Sequence, residues 1–192
     1  MYRSSAPQTS TAPPPIPGTE TPAARDKSSG TIRLEEFGDY QCPPCGNLHP
    51  VLKTIKEEFG DRIQFVFHHF PLMQIHPNAL AASQAAVAAG FQGRFWEMHD
   101  LIYKNQSAWS SATDAQPFFL SYARQLGIDV SRFMNDAANP RTLAIIQSDL
   151  QRGQSLGVNS TPTVFIDGRE IPFKNLTLDN LRNEIRSRLN GG

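Results

Sequence analysis

Apolar and polar residues alternate along Thr31-Ile32-Arg33-Leu34-Glu35-Glu36-Phe37, the two-residue period of a strand. Gly38 and Asp39 break the run. A helical period follows. From near Cys42 the apolar positions Val51, Leu52, Ile55 and Phe59 fall on one face, and Gly60 stops it. Pro50 lies inside this helix and removes one hydrogen bond, so a kink is expected there. Arg62–Phe70 returns to alternation and ends at Pro71. Strand, helix, strand in this order predicts a right-handed parallel unit.

From Pro77 to Gly157 the pattern is helical almost throughout. Asn78–Ala89 is rich in alanine and stops at Gly90. Phe95–Lys104 carries apolar residues on more than one face and should be largely buried. Gln116–Leu126 and Val130–Asn135 are shorter helices. Asn139-Pro140 has the form of a cap followed by proline at the first helical position, with Leu143, Ile146 and Leu150 as the expected inner face. Thr163–Ile166 then reads as a buried strand, Asp167-Gly168 as a hairpin turn, and Glu170–Phe173 as an edge strand, because Pro172 cannot donate. Thr177 caps a last helix with Leu178, Leu181, Ile185 and Leu189 on one face. Glu36 alternates with Leu34 and can face the core, where desolvation raises a carboxyl pKa; Glu35 is expected on the solvated side.

Residues 1–29 show no such period. They are rich in Pro, Ser, Thr and Ala, include Pro13-Pro14-Pro15, and read as a disordered or polyproline linker. They lack the apolar segment of a signal peptide. A linker at this end leaves two readings, a signal or membrane anchor that once preceded it, which is the one expected, or a native solvated tail. The remaining ~160 residues suffice for one core. Eighteen basic and eighteen acidic residues cancel, which leaves no electrostatic footprint for nucleic acid.

The 192 residues hold two cysteines, Cys42 and Cys45, at the strand-to-helix junction. A helix advances 3.6 residues per turn, so both sulfurs lie on one side of its first turn, within reach of a disulfide. Cys42, nearer the helix start, meets the N-terminal N–H groups and the positive end of the dipole, which favour thiolate. A disulfide closing so short a loop is a poor staple, and a dithiol redox centre is the better reading. His68 and His69 are adjacent on a strand and point to opposite faces. His49, His76 and His99 have no helical-spacing partner, and no metal ligand set is assigned among the histidines.

The Cys42-Pro43-Pro44-Cys45 pair, followed by Ser160-Thr161-Pro162-Thr163 at the start of a strand, resembles the DsbA-like thiol–disulfide oxidoreductases. Phe70-Pro71-Leu72, His76-Pro77-Asn78-Ala79 and Phe95-Trp96-Glu97-Met98-His99-Asp100 are similar to bacterial members of that group. The resemblance covers roughly residues 30–190. It implies an α/β thioredoxin fold, βαβ…ββα, in residues 30–75 and 158–192, with an all-helical domain inserted at 76–157. It also implies Cys42 as nucleophile, Cys45 as resolving thiol and Pro162 as a cis-proline facing the sulfurs. Thr161 would offer backbone hydrogen bonds to an extended substrate, and Glu36 would move a proton to or from Cys45. Family oxidases often carry Pro-His between the cysteines. Pro43-Pro44 departs from this, with no imidazolium beside Cys42 and two fewer N–H donors.

The expected function is disulfide exchange with cysteine-containing proteins, oxidation favoured over reduction or isomerisation. It needs no cofactor beyond the Cys42–Cys45 disulfide. The chain is expected to be a monomer outside the cytoplasm, recycled by a membrane or soluble redox partner. Two other readings stay open: a copper- or metal-handling binding protein that uses the cysteines, and a tethered interaction module switched by the disulfide.

Overall fold

A computed structural model of the chain describes residues 31–191; the linker expected at 1–29 lies outside the described residues. Four strands form one sheet in the order β2-β1-β3-β4. They are β1 (Ile32–Gly38), β2 (Ile63–His69), β3 (Thr163–Ile166) and β4 (Arg169–Ile171). β1 runs parallel to β2 and antiparallel to β3, with Glu36 opposite Phe67 on one side and Val164 on the other. β3 and β4 are joined by Asp167-Gly168, both at positive φ (51° and 78°), as a two-residue hairpin turn requires. This is the strand order and direction that the resemblance implies, a thioredoxin fold.

The alternation in β1 sorts the two faces of the sheet. Ile32 and Leu34 pack with Ile63, Val164 and Ile166 beneath α1 (Pro43–Phe59) and α8 (Leu178–Asn190). Those helices contribute Leu48, Leu52, Ile55 and Phe59, then Leu181 and Ile185. Each such side chain, fully buried, contributes about 1.5–3 kcal/mol. The Thr177 hydroxyl accepts from the Asn180 N–H and so caps α8. Val51, expected on the inner face of α1, is only partly buried, and Leu48 and Cys45 take that face instead.

On the opposite face Phe37 packs with Phe70, Val158 and Phe165. It is covered by α7 (Pro140–Ser155), whose buried positions are Thr142, Ile146, Asp149 and Gly153. The expected Leu143–Leu150 face is therefore rotated by about one residue. Gly153 permits this approach: a Cβ there would lie 2.7 Å from the Phe70 ring.

Rotation of α7 carries Asp149 inward and corrects the expectation for Glu35, which is not solvated. Glu35 is buried on this second face and accepts from His68 Nε2 (3.1 Å) and Arg152 (2.7 Å). The other ring nitrogen of His68 lies 2.9 Å from Asp149 Oδ1. Burial works to raise the Glu35 pKa, but hydrogen bonds from His68, Arg152 and Arg33 outweigh it and bring it to about 2. Burial of His68 opposes its protonation, and the two carboxylates prevail, raising its pKa. A buried ion cluster thus ties β1 and β2 to α7.

Helices α2 (Ala79–Gly90), α3 (Phe95–Lys104), α4 (Gln106–Trp109), α5 (Gln116–Gln125), α6 (Val130–Ala137) and α7 fill the chain between β2 and β3. The single turn α4 has no counterpart in the sequence pattern; it buries Trp109, whose indole donates to Ile102 O. Alanines of α2 allow close packing, and Phe95, Met98, Ile102 and Phe119 fill the space around them. Tyr40, Cys42, Cys45 and Phe67 belong to the same apolar cluster, so this helical core reaches the cysteine pair. None of the described helices is long and apolar enough to cross a membrane.

Candidate active site

Cys42 is the N-cap of α1, in extended conformation, with Pro43 and Pro44 as the first two helical residues. Proline suits these positions, whose N–H groups have no intrahelical acceptor. Of the first four helical residues only Cys45 and Gly46 then carry an N–H. Gly46 donates to Cys42 O (3.1 Å), which leaves the Cys45 N–H for the Cys42 sulfur. The prolines thus concentrate the end of the helix on one donor.

Both thiols are free, and they differ in environment. Cys42 is 6% exposed and Cys45 fully buried. A hydrogen bond from the Cys45 thiol outweighs burial and brings the Cys42 pKa down to about 6. Thr161 also favours the thiolate. Burial pushes Cys45 well above the ordinary thiol value, and its bond to Cys42 adds to the shift. At pH 7 the outer sulfur is therefore about nine-tenths thiolate and the inner one a thiol.

Glu36 follows Ile32 and Leu34 on the α1 face of β1, on the cysteine side of the sheet. Its side chain is buried and Oε1 has no hydrogen-bond partner. Burial, reinforced by the Cys42 charge, raises its pKa to about 8. Glu36 therefore holds a proton at neutral pH.

From the other side the Thr161-Pro162 peptide, cis in this structure, approaches the pair. The Thr161 carbonyl oxygen lies 3.4 Å from Cys42 Sγ, where it accepts from the sulfur only while Cys42 is a thiol. The sequence-predicted residues Glu36, Cys42, Cys45, Thr161 and Pro162 are thus brought to one place from β1, α1 and the loop before β3.

A set of polar residues missed by the sequence reading holds the loop in front of Cys42. The buried Asp39 carboxylate accepts from Gln41 N, Leu72 N and His76 Nδ1 at 2.7–2.8 Å. Gln41 donates to Ser110 O and accepts from Asn78 N. Gln106 Nε2 donates to Tyr40 O (2.7 Å) and Cys42 O (2.9 Å). These bonds fasten the redox loop to the helical segment. Asp39 next to Gly38 was the available signal, since aspartate after a strand commonly organises a turn; the glutamines gave none.

The histidines do not join the cysteines. His69 is buried with neither nitrogen partnered, and burial drops its pKa to about 4. His99 pairs with the Tyr40 hydroxyl (2.9 Å). Among the described residues, the group able to hold a metal ion is His49, His99 and Asp100.

A family model described as Thioredoxin matches residues 24–186. The Na(+)/H(+) antiporter NhaA 1 of Salinispora arenicola is 37% identical over 145 residues, which are 76% of this chain and 21% of that protein. The Na(+)/H(+) antiporter NhaA of Herminiimonas arsenicoxydans is 30% identical over 158 residues, 82% of this chain and 24% of that protein. The chain thus spans about a fifth to a quarter of the length of the curated relatives it matches. Among solved structures, BdbD from Bacillus subtilis aligns with a TM-score of 0.72 at 20% identity, covering 86% of this chain and 91% of that one. A thioredoxin-like oxidoreductase from Silicibacter pomeroyi aligns with a TM-score of 0.69 at 23% identity, covering 84% and 87%. At these identities the likeness is one of fold.

Proposed function

The chain belongs to the thioredoxin family, and from that premise we propose that it is a thiol–disulfide oxidoreductase acting on cysteine-containing proteins. The observation that carries this reading is the asymmetry of the pair: Cys42 has its pKa lowered to about 6, while the Cys45 beside it is raised and shielded. An inert or structural pair needs no such difference.

In the oxidising direction a substrate thiolate attacks the Cys42 sulfur of the Cys42–Cys45 disulfide. The S–S bond breaks, a mixed disulfide forms at Cys42, and Cys45 leaves with the electron pair. Cys45 is a poor thiolate in this site and takes a proton, which Glu36 holds at neutral pH. A second substrate thiolate then attacks the substrate sulfur of the mixed disulfide, and Cys42 leaves as the stable thiolate. The substrate gains a disulfide and the enzyme is left reduced. A recycling partner, membrane-bound or soluble, must then remove two electrons. Thr161 and Pro162 flank the sulfur as the backbone edge for an extended substrate, and the helical residues 76–157 form the cover around it.

Oxidation is favoured over reduction because thiolate stabilisation favours the reduced enzyme. Against an ordinary thiol pKa of about 8.5, a value near 6 favours the reduced form at pH 7 by on the order of 1 kcal/mol, a few tens of millivolts. Disulfides persist in oxidising compartments, which supports a setting outside the cytoplasm for this activity. Cys42→Ser is expected to abolish exchange, and Cys45→Ser to accumulate mixed disulfides with substrate. Full activity in Cys42→Ser would sink the proposal.

A further inference from the structure

One cluster of chemistry-bearing side chains takes no part in exchange. His49 lies on α1 one turn beyond Cys45, and His99 and Asp100 are neighbours on α3. One donor atom from each lies within 4.8 Å of the other two. We propose that these three residues bind a divalent transition-metal ion of the zinc class, bridging the cysteine-bearing helix to the helical segment.

The spacing suits such an ion. With bonds of about 2.0–2.1 Å in tetrahedral geometry, adjacent ligand atoms stand about 3.3–3.4 Å apart. His49 Nε2 and Asp100 Oδ1 are 3.4 Å apart. The wider separations close if the partly exposed His49 and Asp100 side chains move by about an ångström or slightly more.

The surroundings resemble the outer shell of a metal site. Ligating histidines are usually held through their other nitrogen, and ligating carboxylates through their other oxygen. His99 Nδ1 is held by the Tyr40 hydroxyl at 2.9 Å, which leaves Nε2 for an ion. Asp100 Oδ2 bonds Lys53, which leaves Oδ1 toward His49. The His49 ring stacks on Tyr103, with centroids 5.0 Å apart.

Two nitrogens and one carboxylate oxygen form a borderline donor set, suited to zinc rather than to calcium or magnesium. His49 and Asp100, with the buried His99 behind them, line a groove of about 680 Å³ together with Gly46, Pro50 and Leu101, which gives water or a ligand atom a way to the fourth position. Lys53 and Lys56 oppose a dication here, and Asp100 and Glu97 favour it. The expected affinity is therefore moderate.

The test must keep the thiols from competing, so zinc is titrated calorimetrically into the full chain carrying C42S and C45S. The expected result is one equivalent bound and a melting temperature that rises with zinc. Cobalt in its place should give the visible absorption of a four-coordinate site. H49Q and D100N keep side chains of similar size, their zinc-free melting temperatures check the fold, and each should weaken uptake by more than about tenfold. Absence of uptake at submillimolar zinc overturns the proposal, and so does uptake that neither variant changes. The readout does not depend on exchange activity, and the metal site can fail while the redox reading stands.

Discussion

Glutamine in place of Glu36 should make the reduced protein more stable and a poorer catalyst. An ordinary glutamate at 4.5 is held at about 8 in the fold. Between those values the folded chain keeps a proton that the unfolded chain releases. Stability is therefore undiminished below pH 4.5 and falls as pH rises toward 8. At pH 7 the gap amounts to about two and a half pH units of lost ionisation, or about 3 kcal/mol. Glutamine has a similar shape and no ionisation to suppress, so Glu36→Gln recovers that amount at pH 7 and almost nothing at pH 4. Urea unfolding of the reduced protein at both pH values measures it. The same variant should resolve mixed disulfides more slowly, because it removes the proton donor and acceptor proposed for Cys45. Equal or lower stability of Glu36→Gln at pH 7, or a gain independent of pH, would refute the reasoning.

Two further outcomes follow from the geometry. Alkylation of Cys42 should reach half its maximal rate near pH 6, whereas the unfolded chain titrates near 8.5; a folded-state midpoint above 8 contradicts the thiolate. Gly153→Ala places a Cβ 2.7 Å from the Phe70 ring and 3.0 Å from Phe37. It should cost about 1–3 kcal/mol in urea unfolding despite the better helix propensity of alanine, and a stabilised variant would show that α7 packs otherwise.

Much of this was legible in the sequence because it depends on short-range pattern. The two-residue period of β1 and the Asp167-Gly168 turn each declare themselves within a few residues. The Cys42 and Cys45 spacing on a helix start does the same. Glu36 was legible as a core-facing residue by its register with Leu34.

What stayed hidden depends on partners far along the chain. Glu35 reads as a solvated strand residue until His68 and Arg152 are seen beside it, 33 and 117 residues away. Asp149 reads as the polar side of a helix until the buried His68 claims it, which also explains the misplaced inner face of α7. Gln41 and Gln106 act on backbone carbonyls, and no side-chain pattern marks a residue that satisfies backbone. The lowered Cys42 pKa was obscured for a different reason. Pro43-Pro44 removes donors, and only the geometry shows that the Cys45 N–H and thiol supply what the dipeptide cannot.

On the proposed function, Cys42 and Cys45 form an exchanging pair that favours oxidation of its substrates. Equilibration of the protein with glutathione buffers, followed by quantification of reduced and oxidised chain, tests it most directly. A reversible two-electron couple is expected, with a potential raised above the reducing value of about −270 mV by the lowered Cys42 pKa. A potential at or below about −270 mV, or no equilibrium with glutathione at all, would contradict it.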